Sequence, residues 1–99
     1  EAAVRNGENG NNELNLVRSR SGMGNRTATL DNILAERLME LMWEGWRRND
    51  LIRFNRFHKS YDLRTAPETE ADRHTIVFPI PSRALDLNEK LKQNKGYQR

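Results

Sequence analysis

The sequence has no cysteine, and that absence removes several kinds of chemistry at once. Without thiols there is no disulfide framework, no thiolate nucleophile and no cysteine-based metal site. Histidine is almost as scarce. A metal centre on His58 and His74, both outside the strongest helical patterns, would need carboxylates gathered from distant stretches. No serine sits in a G-x-S-x-G elbow and no H-E-x-x-H pair exists. The residues therefore offer no catalytic constellation, and no catalytic residue, metal or cofactor is expected. No apolar run approaches the ~20 residues that span a bilayer, and no signal-peptide pattern opens the chain. Hydrophobic residues make up 35% of the 99 positions and aromatics 7%, against about 45–50% apolar residues in globular chains. So little apolar surface points to part of a larger protein. The opening EAAVR, which reads as the end of a helix already under way, points the same way.

What the chain has is charge. The net charge is +3, and thirteen of the seventeen cations are arginine. Arginine suits two-pronged pairing with carboxylates, and also contacts to phosphate and sugar.

Taken in order, Glu1 to Arg5 reads as a helical turn ended by Gly7, and NGENGNN (6–12) as a polar turn. Asn11 or Asn12 is the expected N-cap of a helix over Glu13–Arg20, with Leu14, Val17 and Leu16 inward and Arg18 and Arg20 outward, stopped at Gly22. GMGNRTAT (22–29) is a loop. Its G-x-G resembles a phosphate loop only weakly, because no strand precedes it and the later glycine and lysine are missing. Thr29 is a good N-cap and Asp31 suits the first turn. From there the spacing predicts one long helix over Leu30–Arg56. At about 100° per residue, Leu30, Leu34, Leu38, Leu41, Gly45 and Ile52 form one stripe, with Trp43 and Phe54 opposite it. A helix with apolar residues on both sides expects packing partners on both. Gly45 within it costs about 1 kcal/mol relative to alanine and suggests close approach of another backbone or ring. His58–Arg73 is a polar surface loop. Thr75–Phe78 reads as a short strand or an extended apolar run, Pro79 and Pro81 enforce an extended path, and Ser82–Leu87 makes a turn of helix capped by Ser82. The tail KLKQNKGYQR is irregular, anchored by Leu91 and Tyr97. The fold class is mainly α. Residues 1–56 are helical, and 57–99 form a loop-rich tail with a short strand and a short helix.

The chemistry-bearing groups read mostly as framework. Glu36, Glu40 and Glu44 repeat at i, i+4, a repulsive ladder unless cations answer it, and Arg37, Arg47 and Arg48 lie three or four residues from them. Asp50 is three residues from both Arg47 and Arg53. Glu40, Glu44, Arg47, Asp50 and Arg53 are therefore expected to form a structural ion-pair frame rather than a glycosidase-type carboxylate pair. A buried Trp43 would shelter a Glu44–Arg47 pair. RRNDLIRFNRFHK (47–59) interleaves basic and aromatic residues in a way that can clamp phosphates and stack bases. The same stretch also reads as a helix end with its cations at the C-terminus. Trp46 and Tyr97 are the candidate ligand-binding residues, because an aromatic face stacks on a sugar ring, though packing is the commoner role for such residues.

Several blocks together resemble one family, the SusD/RagB nutrient-binding outer-membrane lipoproteins of Bacteroidetes. EAAVRNG followed by LNLVRSRSGM resembles its last TPR-like helix pair. TLDNILAERLMELMWEGWRRNDLIRF resembles its E-R-x-x-E-L-x-x-E-G-x-R-x-x-D-L-x-R helix. FPIPSRALDLNEKLKQNKGY resembles its C-terminal P-I-P and Q-N-P-G-Y blocks. The chain departs from the family pattern at Ala84, where glutamate is usual, at Glu89 and Lys95, where proline is, and at Asn55, where glycine is. Arg48 and Asn49 stand where aromatics are frequent.

The resemblance implies a fragment of a larger all-α SusD-like fold, with TPR-like helices followed by an irregular, proline-containing C-terminal segment. It implies a non-enzymatic, cell-surface glycan- or nutrient-binding protein of polysaccharide utilisation. That protein is tethered to the outer membrane by a lipid anchor on a missing N-terminal part. Its implied partners are a SusC-like TonB-dependent transporter, a glycan or oligosaccharide, and the rest of the parent chain, with no nucleic acid. The alternative left open by composition is a basic helical module that binds nucleic acid or another protein.

Overall fold

Short polar side chains start the two longer helices. In the computed structural model, which describes residues 1–60, 65 and 73–98, α1 spans Ala2–Arg5, α2 Asn11–Arg20, α3 Leu30–Glu40, α4 Arg47–Arg53 and α5 Ser82–Leu87. At α3, Thr29 holds extended backbone and its Oγ1 accepts the Asn32 N–H at 3.1 Å, as expected of an N-cap. At α2 the cap residue is Gly10 rather than an asparagine, and Asn9 Oδ1 accepts the Asn11 N–H at 2.9 Å. The architecture is helical, with no strand among the described residues. It forms two compact units, Glu1–Phe54 and Asn55–Arg99. The polar loop expected at 58–73 lies largely outside the described residues.

The single helix expected over Leu30–Arg56 is two. α3 ends at Glu40, and six residues, 41–46, turn the chain before α4 begins. The break is made by backbone, not by proline. Trp43 (φ 70°) and Gly45 (φ 78°) both take left-handed conformations, which the right-handed ladder cannot pass through. A Cβ on Gly45 would meet nothing within 4 Å. Glycine is there for its φ, not for a close neighbour as the sequence suggested.

The turn also resets the helical phase. Leu14, Ile33, Leu34, Leu51 and Phe54 are the buried apolar residues of the first unit, while Leu30 and Leu38 of the expected stripe are exposed. Trp43, at 97% exposure, covers no Glu44–Arg47 pair. α3 and α4 pack on each other, and Arg37 and Arg47 tie them at their ends.

In the second unit, Thr75–Phe78 is not a strand. His74–Ile76 forms one 3-10 turn and Val77 continues in extended backbone. α5 runs over Ser82–Leu87 as expected, but Pro81 occupies the N-cap position and Ser82 makes no capping bond. The α4 exit uses Asn55 at φ 55°. This is the position where the family pattern carries glycine, and asparagine is the side chain that best tolerates that region.

Candidate functional site

The charged residues of the first unit are joined mainly between elements. Asp50, on α4, has a side chain only 3% exposed. Its Oδ2 accepts from Arg37 Nε on α3 at 2.8 Å, and its Oδ1 from Arg53 Nη2 at 2.8 Å. Arg53 also donates to Glu1, which accepts from Arg5 Nε at 2.8 Å. Arg5 and Arg53 both lie over the ring of Phe54, with guanidinium carbons 4.8 and 4.9 Å from its centroid. One run of contacts therefore links α1, α4 and α3. Burial pushes the Asp50 carboxyl up, but the hydrogen bonds and charges of Arg37 and Arg53 outweigh it, and the group titrates below the usual carboxylate range. Glu1 is lowered in the same way, against burial, by Arg5 and Arg53. Arg53 is raised by its hydrogen bond to Asp50, against burial and with further help from Glu1.

Of the five residues expected to form a frame, only Asp50 and Arg53 are joined directly. Glu40 pairs with Arg20, and Arg47 Nη1 donates to the Leu34 carbonyl at 3.0 Å. Glu44 makes no ion pair with the described residues. The glutamate ladder is answered from α2, not from within α3. Arg20 takes Glu40, and Arg18 takes Glu36 at 2.5 Å while donating through Nε to the Gly24 carbonyl at 2.7 Å. Arg18, expected outward, is buried for that reason. A helical wheel shows which residues share a face. It does not show that a carboxylate on the next helix makes a buried arginine affordable.

Trp46 precedes α4 and is half exposed. With Leu38, Leu41, Met42, Trp43, Arg47 and Asp50 it lines an open groove of about 340 Å³. A second groove, about 310 Å³, has Leu14, Val17, Ile33 and Leu41 among its lining. No group of three or more acidic or histidine side chains among the described residues has a metal-binding arrangement. The arginines of the basic run at 47–59 are already engaged: Arg47 and Arg53 as above, and Arg48 and Arg56 with partners of their own.

Tyr97 sits in a clip that closes the second unit. Its hydroxyl donates to the Val77 carbonyl at 2.8 Å, and its ring meets His74 edge-on at 4.9 Å. Gln93 pairs with Ile80 at both backbone groups, Oε1 accepting the N–H at 2.8 Å and Nε2 donating to the C=O at 2.9 Å. Asn94 Nδ2 donates to the Phe78 carbonyl at 2.8 Å. Gly96 has φ 89°, and a Cβ there would fall 2.5 Å from His74 Cβ and Cγ. The F-P-I-P and Q-N-x-G-Y blocks are thus two halves of one contact. Leu91, the other expected anchor, is 41% exposed. The amides of Gln93 and Asn94 hold the tail instead. The signal that would have pointed to them is the pair of prolines beside Ile80, which isolate a single backbone donor.

Two comparisons bear on identity. The sequence profile of the SusD family matches residues 1–97. The starch-binding protein SusD of Bacteroides thetaiotaomicron is 29% identical over 105 residues, covering 99% of this chain and 19% of that protein. The chain therefore spans about a fifth of the length of this curated relative.

Proposed function

The chain belongs to the SusD family, and from that premise we propose that it is the C-terminal segment of a cell-surface protein that binds a glycan or related nutrient. The intact protein delivers its ligand to a SusC-like TonB-dependent transporter. It sits at the outer membrane on a lipid anchor carried by another part of the chain, and it binds and hands over without catalysis. The observation that carries this reading is the match over residues 1–97 to one family profile, joined to a relative whose name states starch binding. In this reading the segment is scaffold. The Asp50 contacts tie its helices together and the Gln93–Tyr97 clip closes its tail. Among the described residues no helix is long and apolar enough to cross a membrane.

The test uses the intact natural polypeptide that contains these residues. Binding on a carbohydrate array, with co-purification of an outer-membrane TonB-dependent transporter, is the expected result. Salt-dependent binding to DNA or RNA with no glycan retained would overturn it.

A further inference from the structure

The loop after α2 is held more firmly than an exposed loop requires. Gly24 offers its carbonyl to Arg18, and Arg26 N–H donates to Asn15 Oδ1 at 2.8 Å. Ala28 N–H donates to Asn11 Oδ1 at 2.6 Å, and Asn32 Nδ2 donates to the Thr27 carbonyl at 2.8 Å. Four contacts within five residues fix the backbone.

These bonds also determine which way two carboxamides face. A backbone N–H can only meet the oxygen end of an asparagine side chain, so Asn11 and Asn15 are oriented by their partners. Each keeps its NH₂ group, with two donor hydrogens, and neither NH₂ has a partner among the described residues. Asn11 and Asn15 line a surface dimple of about 230 Å³ together with Asn25, Arg26 and Thr27. The Arg26 guanidinium and the Asn25 carboxamide have no partner among the described residues either. The lining contains one cation and no carboxylate. Its uncommitted groups are the arginine fork, amides with donor ends in excess and one hydroxyl.

We propose that this dimple, between α2 and the 24–28 loop, binds a single oxyanion of a small ligand: a carboxylate, sulfate or phosphate group. Guanidinium and amide N–H groups converging on an anion make charge-assisted hydrogen bonds, which are shorter and stronger than neutral ones. The pinned loop means that little order must be gained on binding. The volume suits one acidic sugar ring or a free anion, not an extended chain. The site lies within this segment and holds whether or not the intact protein carries glycan elsewhere.

The test is calorimetric titration of the intact natural polypeptide at low ionic strength. The probes are glucuronate, glucose 6-sulfate and inorganic phosphate, with glucose as the neutral control. At least one anionic probe binds and glucose does not compete with it. The anion that binds identifies the source. Arg26→Gln weakens that binding by about tenfold, equivalent to about 1.4 kcal/mol. Asn15→Asp abolishes it. That variant keeps an oxygen to accept the Arg26 N–H, so the loop stays pinned while the donor end becomes a negative charge, and the circular dichroism and melting profile remain those of the parent. If no anion binds, if glucose displaces the bound anion, or if both variants bind within twofold of the parent, the proposal is wrong.

Discussion

Asp50 is the residue on which the first unit's charge network turns, and its removal has a calculable effect. Its carboxylate is buried and accepts two charged hydrogen bonds, one from each side of the α3–α4 turn. Breaking a fully buried pair costs about 3–5 kcal/mol. Here the two arginines are 31% and 44% exposed and recover part of their solvation, so the loss falls to about 2–3 kcal/mol. The effect is local and is best read by hydrogen exchange of the peptide covering 47–54. Asp50→Ala should raise exchange of those amides by about 30- to 150-fold, the same energy expressed as an opening constant. Asp50→Asn keeps the shape and one acceptor, and should give a smaller rise of about tenfold. Acid supplies a second arm. Asp50 is lowered in the folded state, so its contribution is fully present above the unfolded aspartate value of about 3.9 and disappears as pH falls through the folded value. Exchange in the parent should therefore steepen below about pH 4, and Asp50→Asn should flatten that dependence. Exchange within threefold of the parent in both variants, with the pH slope unchanged, would refute the reasoning.

Other consequences are as specific. Gln93→Leu removes both bonds to Ile80 and should destabilise the tail by about 1–3 kcal/mol, seen as faster proteolysis after residue 88; Tyr97→Phe, losing one hydroxyl bond, should cost less. Gly96→Ala should be worse than Gly45→Ala in thermal melts. Both add strain of about 1–2 kcal/mol at positive φ, but only Gly96 brings a Cβ into the His74 ring. The isolated 99 residues should melt broadly or self-associate, because Met39, Met42, Trp43, Phe78 and Leu87 are each at least half exposed; a sharp monomeric transition by calorimetry would contradict this.

Local signals in the sequence were readable. Thr29 announced the start of α3, Gly22 the end of α2, and the proline pair the extended path into α5. The break at 41–46 was not. Its charges and leucines continue the helical period, and the only marks of a turn are Gly45 and a tryptophan in a conformation tryptophan rarely adopts. Once the phase was lost, the expected leucine stripe went with it; Arg47 and Asp50 keep their spacing within α4, but Arg47 donates to the Leu34 carbonyl instead. Partners across elements were equally hidden. Spacing placed Arg53 beside Asp50, but Arg37, thirteen residues away, supplies the other half. Tyr97 is legible as an anchor of the tail, and the structure commits its hydroxyl to Val77 and its ring to His74. Trp46 lies in an open groove, a placement compatible with packing or with a ligand.

The bond between Gln93 and Ile80 has a consequence for how the chain behaves in company. Extended segments endanger a protein because their unpaired amides can template a neighbouring molecule's strand. From Pro79 to Pro81 only Ile80 has an amide hydrogen to offer, and the Gln93 carboxamide occupies both it and the matching carbonyl. A single side chain thus serves as a two-atom stand-in for a missing strand and leaves neither backbone group of Ile80 to recruit a stranger. Replacing Gln93 would loosen the tail and also expose a sticky seam beside Val77 and Phe78, which are already open to solvent.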